Sequence, residues 1–239
     1  MHILQLNRTS LLPFLPRDCI VAEIGVAEGN FSAEIVSKTA PRRLLLVDPW
    51  EFQETEDYLV DPNNVAQETG DARAASVARR FAKEMIMGAV VVDRSYSLDA
   101  AQRVPDRTLD WIYLDAMHTY DAVLADLHAW APKVKTDGLI LGHDYANHPV
   151  AQQMNFGVVE AVNEFVRKTD CSFLFLTLES YPTYVLAKSA DSTICKDFVT
   201  RTLRNAPTAI EILNPEQLNY KQRMARFSDG HQKLFFRFG

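Results

Sequence analysis

The chain has 239 residues, with 25 lysines and arginines against 31 aspartates and glutamates, a net charge of −6 and a pI near 5.5. That balance argues against a nucleic-acid-binding surface, which is normally basic, and no apolar stretch or leader pattern marks a membrane span or signal peptide. A hydrophobic fraction of 47% over this length suits one large α/β domain with a sizeable core.

Residues 1–18 hold Leu11, Leu12, Phe14 and Leu15 interrupted by Pro13 and Pro16, which reads as a short N-terminal cap. Cys19-Ile20-Val21-Ala22 is a buried strand, and it runs into EIGVAEGNFS, Glu23 to Ser32, around which the chain is organised. Phe31, Ile35 and Val36 then fall at helical spacing. A strand turning into a helix through Gly25 and Gly29 aims backbone N–H groups at whatever lies above it, and glycines permit close approach. Glu23 at the strand end is unsuited to a phosphate and suited to a ligand carrying an ammonium or sulfonium.

Arg43 to Val47 is a second strand, ending in Asp48-Pro49-Trp50. Asp48 lies roughly 20 residues beyond the glycine turn, where nucleotide-binding α/β folds place a carboxylate on ribose hydroxyls. Residues 51–71 are polar and aperiodic, and Trp50, Phe52 and Tyr58 give that loop apolar surface to close as a lid. Val77, Phe81 and Met85 mark a helix, Ala89 to Val92 a third strand, and Asp93-Arg94-Ser95 its end. Leu109 to Leu114 is a fourth strand followed by Asp115-Ala116-Met117-His118; Gly138 to Leu141 is a fifth, followed by Gly142-His143-Asp144. Repeated strand–helix alternation predicts a parallel sheet with helices on both faces. Ser172 to Leu178 and Thr183 to Ala187 are separated by four residues, which permits only an antiparallel hairpin. Residues 189–239 read as a C-terminal extension, helical around Phe198 to Leu203 and then irregular. Cys19, Cys171 and Cys195 are few, odd in number and widely spaced, as expected of reduced residues in a cytoplasmic protein.

Ligands of an open α/β sheet sit beyond the carboxyl ends of its strands. Glu23, Asp48, Ser95, Asp115, His118, His143 and Asp144 all occupy such ends. Asp115 and Asp144 end adjacent strands, and two neighbouring carboxylates need a cation or a shared proton. A divalent metal with His143 as third ligand would satisfy them.

EIGVAEGNFS and LLLVDPW resemble the first two motifs of class I S-adenosylmethionine-dependent methyltransferases. The block DWIYLDAMHTYDAVLADLHAWAPKVKTDGLILGHDY resembles a narrower group, the metal-dependent macrocin-type sugar O-methyltransferases. The resemblance spans roughly residues 18–188 and implies a Rossmann-like methyltransferase fold in one domain: a mostly parallel seven-stranded sheet with an antiparallel last strand. It further implies that Glu23, Gly25, Ala27 and Gly29 wrap the methionine part of S-adenosylmethionine, with Ser32 on its carboxylate. Asp48 would take the ribose, Trp50 flank the adenine, and Ser95 lie at its edge. Asp115, His143 and Asp144 match the metal positions, Asp115 also bordering the cofactor. His118 matches a proposed general base, so that His118, Asp115 and Asp144 form the catalytic set. His143 stands where the group has an acidic residue, which shifts the expected metal from magnesium towards manganese, iron or zinc.

The implied reaction is methyl transfer to a small-molecule hydroxyl, sugar-like or natural-product-like, without nucleic acid or membrane partners and with a homo-oligomer left open. A nicotinamide oxidoreductase would need a tighter Gly-x-Gly-x-x-Gly turn than this chain has. Two histidines and a carboxylate also match a non-haem iron oxygenase on the same fold, and a non-catalytic S-adenosylmethionine-binding protein is the third alternative.

Overall fold

Strands covered by helices on both faces must be apolar at nearly every position. Val21, Leu44, Leu46, Trp111, Tyr113, Leu139 and Leu141 bury on one face, and Ala22, Ile24, Val47, Ile112, Leu114 and Ile140 on the other. The computed structural model describes residues 1–214 and 219–239. In chain order it forms β1 (His2–Leu4), α1 (Arg8–Leu11), β2 (Ile20–Ile24), α2 (Asn30–Thr39), β3 (Arg43–Val47), α3 (Glu56–Leu59), α4 (Gln67–Arg80) and α5 (Ala82–Ile86). There follow β4 (Val90–Asp93), α6 (Ser97–Arg103), β5 (Leu109–Leu114), α7 (Tyr120–Trp130), β6 (Val134–Gly142), α8 (Pro149–Gln153) and α9 (Val158–Lys168). The chain closes with β7 (Ser172–Thr177), β8 (Tyr184–Ala187), α10 (Thr193–Asn205), β9 (Ala209–Glu211), β10 (Lys221–Arg226) and β11 (Gln232–Arg237).

The main sheet runs β4-β3-β2-β5-β6-β8-β7-β1-β9. β2 to β6 pair in parallel, and β8 lies antiparallel between β6 and β7. The expected Rossmann-like methyltransferase sheet is therefore present, with nine strands instead of seven. The additions are β1, parallel to β7, and β9, antiparallel to β1. The N-terminal segment thus enters the sheet as well as packing on it. β1 and β9 have three residues each, too short to show a period of two.

Leu11, Leu12 and Leu15, Phe31 and Ile35 of α2, Val77 of α4 and Phe198 of α10 fill one face. Ala100, Leu127, Trp130, Val162 and Phe165 fill the other. The region after α10 is not irregular, as the sequence led us to expect: β10 and β11 form a separate two-stranded sheet. Asn147 ties it down, donating through N to Gln222 Oε1 at 3.0 Å and through Nδ2 to the Tyr220 carbonyl at 2.7 Å. No helix among the described residues is long and apolar enough to cross a membrane. Strand order reverses between β2 and β5, and a cleft of about 620 Å³ opens there, beyond the strand ends.

Candidate active site

The turn after β2 takes three left-handed residues in close succession, Gly25 (φ +88), Ala27 (φ +48) and Gly29 (φ +70). A Cβ on Gly25 would overlap the carbonyl oxygen of Asp115, so glycine here lets two backbone segments pass each other. A Cβ on Gly29 would meet Val77 Cγ2 at 3.0 Å, a packing constraint from α4. The space both glycines leave is thus taken by protein, whereas the sequence led us to expect room for a ligand. Gly25 and Ala27 still border the cleft through their backbone.

Asp48 holds this turn in shape. Its Oδ2 accepts from the N–H groups of Val26 and Ala27, both at 2.9 Å, and its Oδ1 accepts from Trp50 N at 2.7 Å. Trp50 returns the constraint, donating from Nε1 to the Ala27 carbonyl at 2.8 Å. Both side chains also line the cleft, where they were expected.

Glu23 is 2% exposed yet reaches the cleft wall; the Ser32 side chain lies beside its carboxyl, while Oε2 makes no aligned hydrogen bond. Burial pushes its carboxyl up to about 8. Ser32 is wholly buried and does not line the cleft, so the structure does not put it where a carboxylate ligand would lie. The helical step explains this: Asn30 and Phe31 of the first turn face the cleft, and the next residue rotates back onto the sheet. Ser95 is also displaced. It lies in a neighbouring hollow, where its Oγ donates to Asp93 Oδ1 at 2.8 Å and accepts from Arg103 Nη2 at 2.7 Å. Ser97, opening α6, lines the cleft in its stead and accepts from Trp130 Nε1 at 2.8 Å.

Parallel register aligns Leu114 with Gly142, so the residues that follow each strand meet. Asp115, His118, His143 and Asp144 converge there. His118 Nε2 lies 2.8 Å from Asp144 Oδ2 and 3.8 Å from Asp115 Oδ1; His143 Nδ1 lies 3.0 Å from Asp144 Oδ1 and 3.6 Å from Asp115 Oδ1. The short His118 contact is an ion pair when the ring is protonated, and Nε2 is buried. Burial alone would lower both imidazoles, but the two carboxylates outweigh it and push His118 up to about 10 and His143 up to about 9. Against burial, the same contacts hold Asp115 and Asp144 below the usual carboxylate range. Asp115, His118 and Asp144 each offer a donor atom within 4.8 Å of the others, a metal-compatible set in which His118 replaces the expected His143.

Two further parts of the site escaped the sequence reading. Arg8, from α1, donates from Nη1 to Asp115 Oδ2 at 2.8 Å and stacks over Phe31 with Cζ 4.7 Å from the ring centroid. Phe156 packs on the His118 ring at 4.5 Å between centroids, and Tyr181 stands 6.0 Å from Phe156. No spacing pattern flags a single arginine 107 positions away from its partner. Within residues 51–71, Tyr58 and residues 61–65 line the cleft, and 67–71 already belong to α4. Asn155 Nδ2 donates to Asp57 Oδ1 at 2.9 Å, joining this loop to the segment after α8 across the cleft.

The sequence of residues 22–145, just over half the chain, matches a family described as a methyltransferase domain. The chain belongs to that family. With its sheet and strand order, it is a class I S-adenosylmethionine-dependent methyltransferase domain. No curated protein matches this methyltransferase in sequence. Among solved structures it resembles a protein of Corynebacterium glutamicum at 16% identity and TM-score 0.54, with 77% of this chain and 80% of the other covered. It also resembles a spermidine synthase of Thermotoga maritima at 14% identity and TM-score 0.52, covering 88% and 67%. A B. subtilis tRNA methyltransferase aligns at 13% identity and TM-score 0.50, covering 77% and 67%. At such identities these likenesses describe the fold alone.

Proposed function

We propose that this methyltransferase transfers a methyl group from S-adenosylmethionine to a hydroxyl of a small, sugar-like or natural-product-like molecule, assisted by a divalent metal. One observation carries the reading: the Asp115–His118–His143–Asp144 cluster opens onto the same cleft as the buried Glu23 carboxyl. A buried carboxyl with no cation paired to it fits a cofactor that brings an ammonium, and Asp48 and Trp50 line the stretch a nucleoside would occupy. S-adenosylmethionine supplies the electrophilic methyl on its sulfonium, and the chain's task is to align an oxygen with it, worth up to ~7–11 kcal/mol in favourable cases. Phe156, Tyr181 and Met154 form the apolar wall on the His118 side, where an acceptor would rest.

The metal donors would be Asp115 and Asp144 with the His143 imidazole. A set that includes a nitrogen favours manganese, iron or zinc over magnesium, and the ion would add Lewis acidity towards the hydroxyl. The two carboxylates facing His118 favour the protonated imidazole, and a cation engaging Asp115 and Asp144 would weaken that hold and let Nε2 accept a proton. The fit of His118 into the donor set favours a second reading as well, a non-haem iron oxygenase in which His118 is a ligand. The segment over residues 51–66 would exclude water from either chemistry.

Calorimetry with S-adenosylhomocysteine is expected to give micromolar binding, about −8 kcal/mol, and tighter binding of NADH would overturn the cofactor. Methyl transfer to a panel of sugar and phenolic hydroxyls should fall after chelation and recover with manganese. Transfer indifferent to chelation would remove the metal from the mechanism.

A further inference from the structure

The methyltransferase family match begins at residue 22, and Arg8 lies outside it. Yet Arg8 lines the cleft together with Glu23 and Asp115. We propose that Arg8 binds the methionine carboxylate of the cofactor, so that Arg8 and Glu23 together recognise an α-amino acid zwitterion; this rests on the cofactor assignment above.

Three observations converge on that position. Arg8 stacks over Phe31, which sits in the first turn of the ten-residue helix α2. The unsatisfied N–H groups and positive dipole end of a helix favour an anion there. Ser32, the residue expected to take the carboxylate, is buried behind that turn and does not reach the cleft. Glu23 is 2% exposed, and its Oε2, which makes no aligned hydrogen bond, marks where the complementary ammonium would sit. A cation and a buried carboxyl facing one cleft beside a helix N-terminus are the two halves of an amino-acid site.

The guanidinium is also held ready for such a role. Its Nη1 bond to Asp115 and its contact with Tyr113 engage part of a fork of five donors. The Arg8 backbone N–H donates to Glu179 Oε1 at 2.9 Å, and the same oxygen accepts from Thr177 Oγ1 at 2.6 Å. The turn carrying Arg8 is therefore anchored to the end of β7. Asn7 caps α1, its Oδ1 accepting from Ser10 N at 2.8 Å. Bidentate pairing with a carboxylate is what a guanidinium does better than an ammonium.

The test compares S-adenosylhomocysteine with its decarboxylated analogue, S-adenosyl-3-thiopropylamine, by calorimetry on the full chain. Wild-type protein should prefer S-adenosylhomocysteine by about 10–100-fold, the range for one charge-assisted pair. Arg8→Ala should lose that preference by weakening S-adenosylhomocysteine alone, leaving the analogue unchanged; Arg8→Lys should keep part of it. An Arg8→Ala variant that weakens both ligands equally, or neither, would overturn the assignment and leave Arg8 a structural partner of Asp115. Wild-type protein that binds neither ligand would instead overturn the cofactor reading itself. If Arg8→Ala does not fold, Arg8→Lys carries the comparison: an undiminished preference for S-adenosylhomocysteine there would refute bidentate recognition.

Discussion

Asp48 was expected to serve the ribose, but its geometry gives it a second task that a single substitution can separate. Its two oxygens accept three backbone N–H groups, from Val26, Ala27 and Trp50, at 2.7–2.9 Å. Asp48→Ala strips all three at once, and the left-handed Ala27 and Trp50 then lose what holds them in an unfavourable region (φ +48 and +44). A hydrogen bond to a charged acceptor contributes about 1.5–3 kcal/mol net. The three share one half-buried carboxylate, and water can replace part of them, so their losses do not add in full. We expect ligand-free Asp48→Ala to lose about 2–4 kcal/mol of stability in urea unfolding, with an unchanged slope, and about 5–12 °C in Tm. Asp48→Asn should fall between the two, because its amide nitrogen must face a backbone donor. S-adenosylhomocysteine binding should weaken in parallel. A ligand-free Asp48→Ala protein within about 0.5 kcal/mol of wild type would refute the argument and leave Asp48 as a ribose ligand alone.

Two other substitutions follow from the same site. Glu23 has a folded pKa of about 8, raised by burial above the ordinary carboxyl value. Its contribution is therefore fully present below the unfolded pKa near 4.3 and is lost as pH climbs through 8, on the order of 2–4 kcal/mol. Glu23→Gln should flatten that part of the stability–pH curve in ligand-free protein while weakening S-adenosylhomocysteine about 10–100-fold; an unaltered slope between pH 5 and 8 would count against the buried carboxyl. His118→Ala should cost ~10²–10⁴ in methyl transfer with cofactor affinity and metal content preserved. Loss of bound metal together with activity would make His118 a ligand and favour the oxygenase reading.

Much of this molecule follows from local pattern. Continuous apolar runs such as Leu44 to Val47 and Ile112 to Leu114 signal strands buried on both faces, and the polar residue that ends each run must lie at the sheet's carboxyl edge. That is why Glu23, Asp48, Asp115, His143 and Asp144 could be assembled at one edge from the sequence. The four-residue link before Thr183 dictated an antiparallel partner for the same reason, since chain length limits where a strand can return. Other features depend on register and rotation, which no short window contains. Ser32 and Ser95 are each within two residues of a cleft-lining neighbour, and one helical step or one turn decides which of them faces a ligand. The gap at Gly25 is closed by Asp115, 90 positions later, because parallel pairing of β2 with β5 stacks their ends. Arg8 reaches Asp115 only because β1 and α1 return the N-terminus to the far side of the sheet beside β7. Local periodicity thus determines which residues stand at the edge, while long-range packing decides which of them touch.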